Sequence, residues 1–495
     1  MIMISFNDKN FIFEQKNSTM ELNKIDQLNY KASVIYLLPK THDLRGLGLA
    51  ETEILYTRQR LEADKSNFVF NKFFGKYIIL SFFSEDDDRI KLLDKARKNA
   101  KTVCAKVNEE RLEAVQVKAV GVDKDIVLAF VEGLLLANYQ FLKYFTKDLD
   151  KKRNTLHTIE VEDERISQDE LDQLLILSDA VNIVRDLVNE PYPALNSENL
   201  PERIRSLAQE AGFDLDVLHR KQIESLRMGG LMAVNRGSKY EPTFSVLSYK
   251  SDNAKNNRPI VLVGKGIVFD SGGLNLKPTG YIEDMKTDMA GAAAVIGTVY
   301  AAAKMRLPVY LIGLVPSTDN AISDRSYAPG EVLTMHNSTT VEILNTDAEG
   351  RLILADALSY AQKYEPQLVI DLATLTGSAM RAVGPYASAM FAKTDQEIAQ
   401  KLIDTGLEVF ERLIQFPLWN EYDEMLKSDI ADLKNIGGSN AGLITAAKFL
   451  EHFTDYPWIH LDIAPNAHLT ENDVYFGKGA TGIGVRLLTR FLQKL

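Results

Sequence analysis

Short apolar runs alternate with amphipathic stretches along most of this chain, and that alternation is the strongest constraint on its fold. Residues 259–263, 309–315 and 368–372 have the apolar, β-branched character of buried strands, whereas residues 289–304 and 396–405 have helical periodicity. Strands that alternate with helices build a mostly parallel sheet with helices packed on it. The pattern therefore predicts the α/β class, with a mostly parallel central sheet covered by helices.

Charged residues concentrate in residues 146–170, which contain Lys-Asp-Leu-Asp-Lys-Lys-Arg and Glu-Val-Glu-Asp-Glu-Arg. Such a segment is typical of a solvated strand and linker, so we place a domain boundary there. We predict a smaller N-terminal α/β domain over residues 1–165, a connecting helix over residues 166–190 and a larger C-terminal α/β domain over residues 191–495. We also predict a helix over residues 125–145, and Ser197 as the N-cap of a helix that reaches Ala211.

The composition is that of an ordinary soluble globular protein, because 45% of the 495 residues are hydrophobic and 25% are charged. The net charge of -11 disfavours a nucleic-acid-binding surface. The segment from Met1 to Asn10 lacks the basic and apolar regions of a signal peptide, and no apolar run approaches the roughly 18 residues of a membrane span. The single cysteine, Cys104, excludes an internal disulfide and is predicted to be a core thiol. We therefore expect a cytoplasmic protein without membrane partners.

The stretch Asn-Thr-Asp-Ala-Glu-Gly-Arg-Leu at residues 345–352 places two carboxylates and a guanidinium within five residues. Residues 341–344 before it have strand character, Gly350 is expected to end that strand, and residues 351–364 have the periodicity of a helix. Asp347 and Glu349 are then predicted at a strand end, pointing the same way because they are two residues apart. Like charges that close stay ionised only beside cations, so the pattern favours a metal site.

A second stretch supplies two more carboxylates. Residues 264–273 read Gly-Lys-Gly-Ile-Val-Phe-Asp-Ser-Gly-Gly and contain Lys265 and Asp270, and Lys277 and Asp288 follow. Ligands of parallel α/β sheets bind beyond the carboxyl ends of the strands, where both stretches are predicted to lie. Four carboxylates balance two divalent ions, and Lys265 could join them only as a neutral amine, with a pKa far below the free value of about 10.4.

Other readings of these residues fail on spacing. The Gly264 loop lacks the Gly-x-x-x-x-Gly-Lys-Ser/Thr pattern of nucleotide loops, and Phe269 stands where a dinucleotide fingerprint has its third glycine. None of the seven histidines forms the His-Glu-x-x-His pattern of zinc proteases. His460 lies in an apolar strand-like run and is predicted to be a satisfied core histidine.

With these motifs the chain resembles the leucyl aminopeptidase family of two-metal exopeptidases, whose signature octapeptide matches residues 345–352. The resemblance covers the chain from about Asp186 onward and makes residues 191–495 a dimetal peptidase domain. It implies two divalent ions per subunit, zinc or manganese. One ion would be held by Asp270, Asp347 and Glu349, and the other by Lys265, Asp270, Asp288 and Glu349.

The resemblance also implies the reaction. A hydroxide that bridges the metals would attack the first bond of a peptide with a free N-terminus, Lys277 would stabilise the oxyanion, and Arg351 would hold bicarbonate as general base. The residues implied around the first, apolar side chain, leucine above all, are Met285, Asn345, Thr374, Leu375 and Gly377. Pro465 departs from the family, which usually has glycine there. The family assembles as a homohexamer.

Two alternatives stay open on the sequence. Some relatives of this family have a DNA-binding or architectural role beside peptidase activity, and a lysine and arginine groove in the oligomer would favour that role. A two-metal hydrolase of another bond, such as a phosphate ester, would be expected to carry more cationic residues near the metals than Lys277 and Arg351.

Overall fold

A computed structural model describes residues 20–63, 65–72, 75–84, 88–471 and 476–495. The N-terminal segment on which the signal-peptide prediction rests lies outside these residues. The chain divides into two compact units: one comprises the described parts of Met1–Asp88 and Lys95–Leu175, the other Arg89–Asp94 and Ile176–Leu495. Within the described ranges, no helix has both the length and the apolar character that crossing a membrane requires.

The first unit is built on one sheet. Its strands are β1 (Glu21–Lys24), β2 (Val34–Pro39), β3 (Asn67–Asn71), β4 (Tyr77–Phe83), β5 (Ala114–Ala119) and β6 (Thr158–Glu162). They lie in the order β1-β6-β5-β2-β4-β3, and only β3 runs antiparallel to its neighbour. The helices along this part of the chain are α1 (Glu51–Leu61), α2 (Arg89–Glu109), α3 (Lys124–Ala137) and α4 (Leu149–Lys152).

The second unit carries a larger sheet and several short strands. The strands are β7 (Asp214–His219), β8 (Thr243–Lys250), β9 (Ile260–Gly264), β10 (Gly266–Asp270), β11 (Tyr310–Asn320), β12 (Val332–Thr334), β13 (Thr340–Glu342), β14 (Leu368–Ala373), β15 (Ser388–Lys393), β16 (Leu413–Gln415), β17 (Leu433–Lys434), β18 (Trp458–Asp462), β19 (His468–Leu469) and β20 (Gly479–Ala480). The helices are α5 (Gln168–Asn189), α6 (Leu200–Ala211), α7 (Arg220–Ser225), α8 (Gly229–Asn235), α9 (Ala290–Lys304), α10 (Glu349–Ala361), α11 (Gly377–Val383), α12 (Gln396–Val409), α13 (Gly442–Glu451) and α14 (Val485–Gln493).

The large sheet has the order β16-β15-β18-β14-β9-β11-β8-β7, with β10 also paired to β11. Its centre, β18-β14-β9-β11, is parallel throughout, whereas β7, β8 and β15 introduce antiparallel pairs toward the edges. The central strands are fully buried, as expected of a parallel sheet covered on both faces. The predicted α/β class and mostly parallel sheet are thus confirmed.

Helix α9 packs unusually close to this sheet because its face is made of small residues. Its sequence is Ala-Gly-Ala-Ala-Ala-Val-Ile-Gly-Thr-Val-Tyr-Ala-Ala-Ala-Lys, and every residue before Lys304 is buried. A Cβ on Gly291 would lie 2.0 Å from the Leu372 carbonyl oxygen, and one on Gly264 would lie 2.5 Å from the Gly291 carbonyl oxygen. Helix and strands therefore meet backbone to backbone beside the residue that follows β9, Lys265.

Two local predictions were wrong in their bounds. The helix predicted over residues 125–145 ends at Ala137. The Asn138 side chain there accepts from Asn108 Nδ2 (3.0 Å) and donates to the Leu156 carbonyl (2.8 Å), and these contacts compete with continuation of the helix. Ser197 is not an N-cap, because its hydroxyl donates to the Glu241 carbonyl (2.7 Å) and α6 begins only at Leu200.

The charge-dense segment 146–170 also differs from its prediction. It contains a strand, as expected, but β6 lies inside the first sheet between β1 and β5 and is not a solvated linker. Ile159 and Val161 are buried in the core, while Glu160 and Glu162, which alternate with them, lie on the more exposed face. The period-two alternation of Thr-Ile-Glu-Val-Glu carried this information, and the high charge of the outward face masked it.

Candidate active site

The predicted metal ligands lie on separate elements that meet at the carboxyl ends of central strands. Lys265 follows β9, and Asp270 is the last residue of β10. Asp288 lies in a short 3-10 helix, Ile282–Met289, that leads into α9. Asp347 lies in the turn before α10, and Glu349 is the first residue of that helix. Distant parts of the chain thus converge at the edge where parallel sheets bind ligands.

The expectation that Asp347 and Glu349 share a strand end is wrong. Strand β13 already ends at Glu342, and Glu349 has helical geometry. The Asn345 side chain accepts the Asp347 backbone N–H (2.8 Å), which turns the chain ahead of α10. Gly350 lies inside the first helical turn, so it does not act as a strand breaker.

The predicted side chains nevertheless gather in one cluster. Carboxylate oxygens of Asp270, Asp347 and Glu349 lie within 4.8 Å of one another. Lys265 Nζ lies 2.7 Å from Asp288 Oδ1 and 3.0 Å from Glu349 Oε1. Lys277 Nζ lies 2.8 Å from Asp270 Oδ2 and 2.5 Å from Asp347 Oδ1. Six of the seven polar residues singled out in the motifs are thus in direct contact through these carboxylates and ammonium groups, and Arg351 follows half a turn along α10.

Burial disfavours the ionised form of the carboxyl groups in the cluster. Lys265, Asp270, Asp288 and Glu349 are each at most 5% exposed. Burial, reinforced by the charge of Glu349, raises the pKa of both Asp270 and Asp288. Burial and the Asp270 charge raise the pKa of Asp347 to about 7. Four carboxylates share two ammonium groups here, so the cluster carries excess negative charge when ionised.

The carboxylates of the cluster determine the protonation of Lys265 when no metal is considered. Burial alone would lower its pKa, but the charges of Asp288, Glu349 and Asp270 outweigh burial and raise the pKa above its ordinary value. The carboxylates alone therefore favour the ammonium form, the opposite of the neutral amine that the family resemblance implies. A divalent cation on the same carboxylates is what would reverse this balance.

Several buried polar atoms of the cluster have no hydrogen-bond partner among the described residues. They include Asp288 Oδ2, Glu349 Oε2 and the Nε of Arg351, whose side chain is buried. An unsatisfied buried polar group costs about 1–3 kcal/mol. Carboxylate oxygens can ligate a divalent cation by donating electron pairs, and a guanidinium N–H can bind an anion. These unpaired atoms therefore fit both the divalent metal ions and the bicarbonate that the resemblance implies.

A set of uncharged residues holds the carboxylates in place, and the sequence reasoning missed it. Asn320, at the end of β11, donates to Asp270 Oδ1 (2.8 Å) and to the Thr346 carbonyl (3.0 Å). Thr346 and Asn275 bond reciprocally, each backbone N–H to the other's side-chain oxygen, at 2.8 Å and 2.9 Å. Tyr327 donates to the Thr346 carbonyl (2.8 Å). The available signal was a polar Thr-Asp-Asn ending to an otherwise apolar strand.

The residues expected around the substrate lie at varying depth. Thr374 follows β14; its hydroxyl donates to Asp288 Oδ1 (2.9 Å) and its carbonyl accepts from Lys265 Nζ (2.9 Å), so it touches the cluster directly. Leu375 is half-buried against the core, and Gly377 opens α11 at the surface. Met285 is half-buried on the 3-10 helix of Asp288, and Asn345 orders the turn at Asp347. Only Thr374 and Asn345 have polar contacts to the cluster residues.

His460 and Cys104 both lie in the core, as predicted, but only one ring nitrogen of His460 is satisfied, because its Nε2 is buried without a hydrogen-bond partner among the described residues. His460 is buried, and its Nδ1 lies 2.6 Å from Asp371 Oδ1 across the paired strands β18 and β14. Burial raises the pKa of the Cys104 thiol to about 12, which leaves it inert.

Buried carboxylates and lysines that converge at the carboxyl edge of a parallel sheet are the arrangement expected of a metal-dependent hydrolase. The model of the cytosol aminopeptidase family, catalytic domain, matches residues 182–489. The chain belongs to this family. It is a metal-dependent aminopeptidase, a hydrolase that acts on peptides, and the resemblance seen in the motifs is confirmed.

Relatives and solved structures agree. A probable cytosol aminopeptidase of Syntrophotalea carbinolica is 46% identical over 378 residues, or 74% of this chain and 75% of the relative. One of Chlorobium limicola is 41% identical over 421 residues, or 80% and 83%. The bottromycin maturation enzyme BotP in complex with Mn matches 94% of this chain and 99% of its own with TM-score 0.83 at 29% identity. A tomato leucine aminopeptidase mutant matches 97% and 98% with TM-score 0.86 at 27% identity. These relatives do not favour the DNA-binding alternative.

Proposed function

We propose that this enzyme releases leucine and other apolar residues from the free N-terminus of peptides, with two divalent ions, zinc or manganese, at the cluster. Residues 191–495 would form the catalytic domain, with a connecting helix over residues 166–190 and an N-terminal domain over residues 1–165. The names of the relatives support a cytoplasmic location. The homohexamer rests on the family resemblance alone.

One observation carries the metal assignment, the excess of buried negative charge. The ligands would be Lys265, Asp270, Asp288, Asp347 and Glu349, in the two sets given by the resemblance. Asp288 Oδ2 and Glu349 Oε2 are buried without a hydrogen bond, and such oxygens suit zinc or manganese. When bound, the ions supply Lewis-acid stabilisation of developing negative charge and lower the pKa of water. The manganese in the BotP complex supports manganese as one of the two candidates.

Lys277 would stabilise the oxyanion. An ammonium group has three N–H donors. Two of them serve the contacts to Asp270 and Asp347, so the third is left for the substrate oxygen. The neighbouring carboxylates raise the pKa of Lys277 against the effect of burial, which keeps it charged for this role.

Arg351 would hold an anion and would not ligate a metal. Its Nη1 donates to the Asn435 carbonyl (2.6 Å), while its Nε is buried and has no partner among the described residues. A guanidinium edge offers parallel N–H donors that match a planar anion such as bicarbonate, which would supply a general base. Arg351 thus fixes where that base lies relative to the carboxylate cluster.

The preference for apolar residues follows from the residues expected around the first side chain. Met285 and Leu375 are half-buried and offer no charge to a substrate side chain. An aspartate side chain there would lose hydration without gaining a partner, which costs several kcal/mol or a shift in its ionisation. Leucine and methionine would gain about 1.5–3 kcal/mol from the same burial.

The test compares leucinamide, aspartic acid amide and N-acetyl-leucinamide with enzyme loaded with zinc or manganese. We expect hydrolysis of leucinamide, slower hydrolysis of the aspartyl compound and none of the acetylated one, because acetylation removes the free amine. Equal turnover of the free and acetylated leucine compounds would contradict the aminopeptidase assignment. Equal turnover of leucinamide and aspartic acid amide would contradict only the apolar preference.

A further inference from the structure

Asn435 links the two halves of the octapeptide at residues 345–352. It is fully buried and directly follows β17, which pairs in parallel with β13. The backbone ladder between these strands reaches its last contact where the Asn435 N–H donates to the Glu342 carbonyl (2.9 Å). Beyond that point, the side chain of Asn435 makes the hydrogen bonds to the neighbouring backbone that a paired strand would otherwise make.

The side-chain amide makes bonds on both sides of the neighbouring backbone. Its Oδ1 accepts from the N–H groups of Leu344 (2.8 Å) and Asn345 (3.3 Å), and its Nδ2 donates to the Asn345 carbonyl (2.6 Å). One amide thus satisfies donors and an acceptor that would otherwise be unpaired where the ladder stops. Asn345 in turn accepts the Asp347 N–H (2.8 Å), so its position sets that of Asp347.

The backbone of the same residue fixes the other end of the octapeptide. The Asn435 carbonyl accepts from Nη1 of the buried Arg351 (2.6 Å). We propose that Asn435 is a positioning residue for the peptidase reaction, which sets Asp347 through Asn345 and aims the Arg351 guanidinium. This inference rests on the proposed roles of Asp347 and Arg351.

Only an amide can make this set of bonds. Asn435→Ala removes both side-chain partners and leaves the Leu344 N–H and the Asn345 carbonyl without them. Asn435→Asp keeps the shape and an acceptor, but it places an oxygen against the Asn345 carbonyl where a donor now lies at 2.6 Å. Loss of a residue that orients a ligand typically costs 10- to 100-fold in metal affinity or activity.

Asn256 provides a matched control because it makes the same two-sided clamp elsewhere. Its Oδ1 accepts the Tyr310 N–H (2.8 Å), and its Nδ2 donates to the Tyr310 carbonyl (2.8 Å). Tyr310 opens β11 and Asn320, which contacts Asp270, ends it. At about 3.3 Å per residue the clamp lies roughly 33 Å from the site along that strand.

The experiment measures kcat and KM for leucinamide at saturating Mn²⁺, and the melting temperature, of the wild-type enzyme, Asn435→Ala, Asn435→Asp and Asn256→Ala. We expect both Asn435 variants to lose about 10- to 100-fold in kcat with KM changed less than about threefold. Asn256→Ala is expected to melt earlier with kcat unchanged. Wild-type kcat in either Asn435 variant, or an equal loss in Asn256→Ala, would overturn the inference.

A double-mutant cycle separates positioning from general destabilisation. Asn435→Ala keeps the carbonyl that Arg351 contacts, so it reaches Arg351 only by releasing the backbone that the side chain anchors. If it does so, it must cost a smaller factor in kcat in the Arg351→Ala background than in the wild type. An equal factor in both backgrounds would overturn the link to Arg351. Wild-type enzyme that fails to cleave leucinamide would instead refute the proposed function, so the two failures are distinguishable.

Discussion

Gly350 offers a sharp test of the cluster geometry. It lies in the first turn of α10, between Glu349 and Arg351. A Cβ at this position would lie 2.3 Å from Lys265 Cε and 2.7 Å from Lys265 Nζ. Because carbon atoms in contact are about 3.5–4.0 Å apart, Gly350→Ala must push the end of Lys265 away by about 1.2 Å or more.

Gly350→Ala should lower the catalytic rate without lowering the stability of the folded protein. Alanine is favoured over glycine by about 0.5–1 kcal/mol inside a helix. The group that must move is the end of a flexible side chain, but its Nζ lies 2.7 Å from Asp288 Oδ1 and 3.0 Å from Glu349 Oε1. A misplacement of about 1 Å can cost on the order of 100-fold in rate. We therefore expect Gly350→Ala to keep its melting temperature and lose about 100-fold in kcat.

Gly297→Ala is the contrasting control. A Cβ there would lie 2.4 Å from Val184 Cγ2 and 3.1 Å from Val485 Cγ2, in the packing of α9 against α5 and α14. Overpacking of this kind costs about 1–3 kcal/mol, so this variant should melt earlier while its folded fraction keeps normal kcat. The assay is leucinamide turnover at saturating Mn²⁺ beside thermal unfolding. Gly350→Ala with kcat within threefold of wild type would refute the geometric reasoning.

Three further outcomes are expected. Dialysis against a chelator should abolish hydrolysis and Zn²⁺, Mn²⁺ or Co²⁺ should restore it, whereas full activity in protein shown to be metal-free would contradict the mechanism. Glu349→Gln should lose metal and activity, while Arg351→Lys should keep metal and lose rate, so metal analysis that shows Arg351→Lys stripped of metal would refute its role. Burial raises the pKa of Asp356 to about 7, so the folded state binds the proton of this carboxyl more tightly than the unfolded state does. The stability that this proton binding contributes is fully present below about pH 4 and is lost as the pH rises through 7. Denaturation from pH 5 to 8 should therefore show wild type losing stability relative to Asp356→Asn, and parallel pH profiles would count against this linkage.

The gathering of the cluster residues could be predicted from sequence because they lie in short, local motifs. Lys265 and Asp270 are five residues apart, and Asp347 and Glu349 two, so each segment carries its chemistry without knowledge of the fold. Parallel strand ends then bring the segments together by a general rule of α/β sheets. The same reasoning failed on local geometry, since Gly350 was taken as a strand breaker. Its lack of a Cβ serves Lys265, a contact that no local pattern reveals.

The residues that hold the carboxylates in place could not be predicted, because their contacts depend on register between distant strands. Asn435 acts on Asn345 only because β17 pairs with β13 and the ladder stops where it does. Asn320 reaches Asp270 because β10 pairs with β11 across a register shift. An asparagine at a strand end, like Asn320, or just beyond one, like Asn435, is usually expected from sequence to be a turn residue. Only the register shows that these two asparagines contact the segments that carry the carboxylate cluster.

The close contact of α9 with the sheet sets how this enzyme can evolve. Gly264 and Gly291 meet backbone atoms that cannot step aside, so even a single added methyl group at either position must separate the helix from the strands. The strand end that would shift is the one that bears Lys265. Neutral substitution is therefore not expected at these two positions, because every other residue is larger than glycine and a larger residue would not fit. Adaptation to a hotter habitat would have to come from other parts of the chain, such as surface charges and loops.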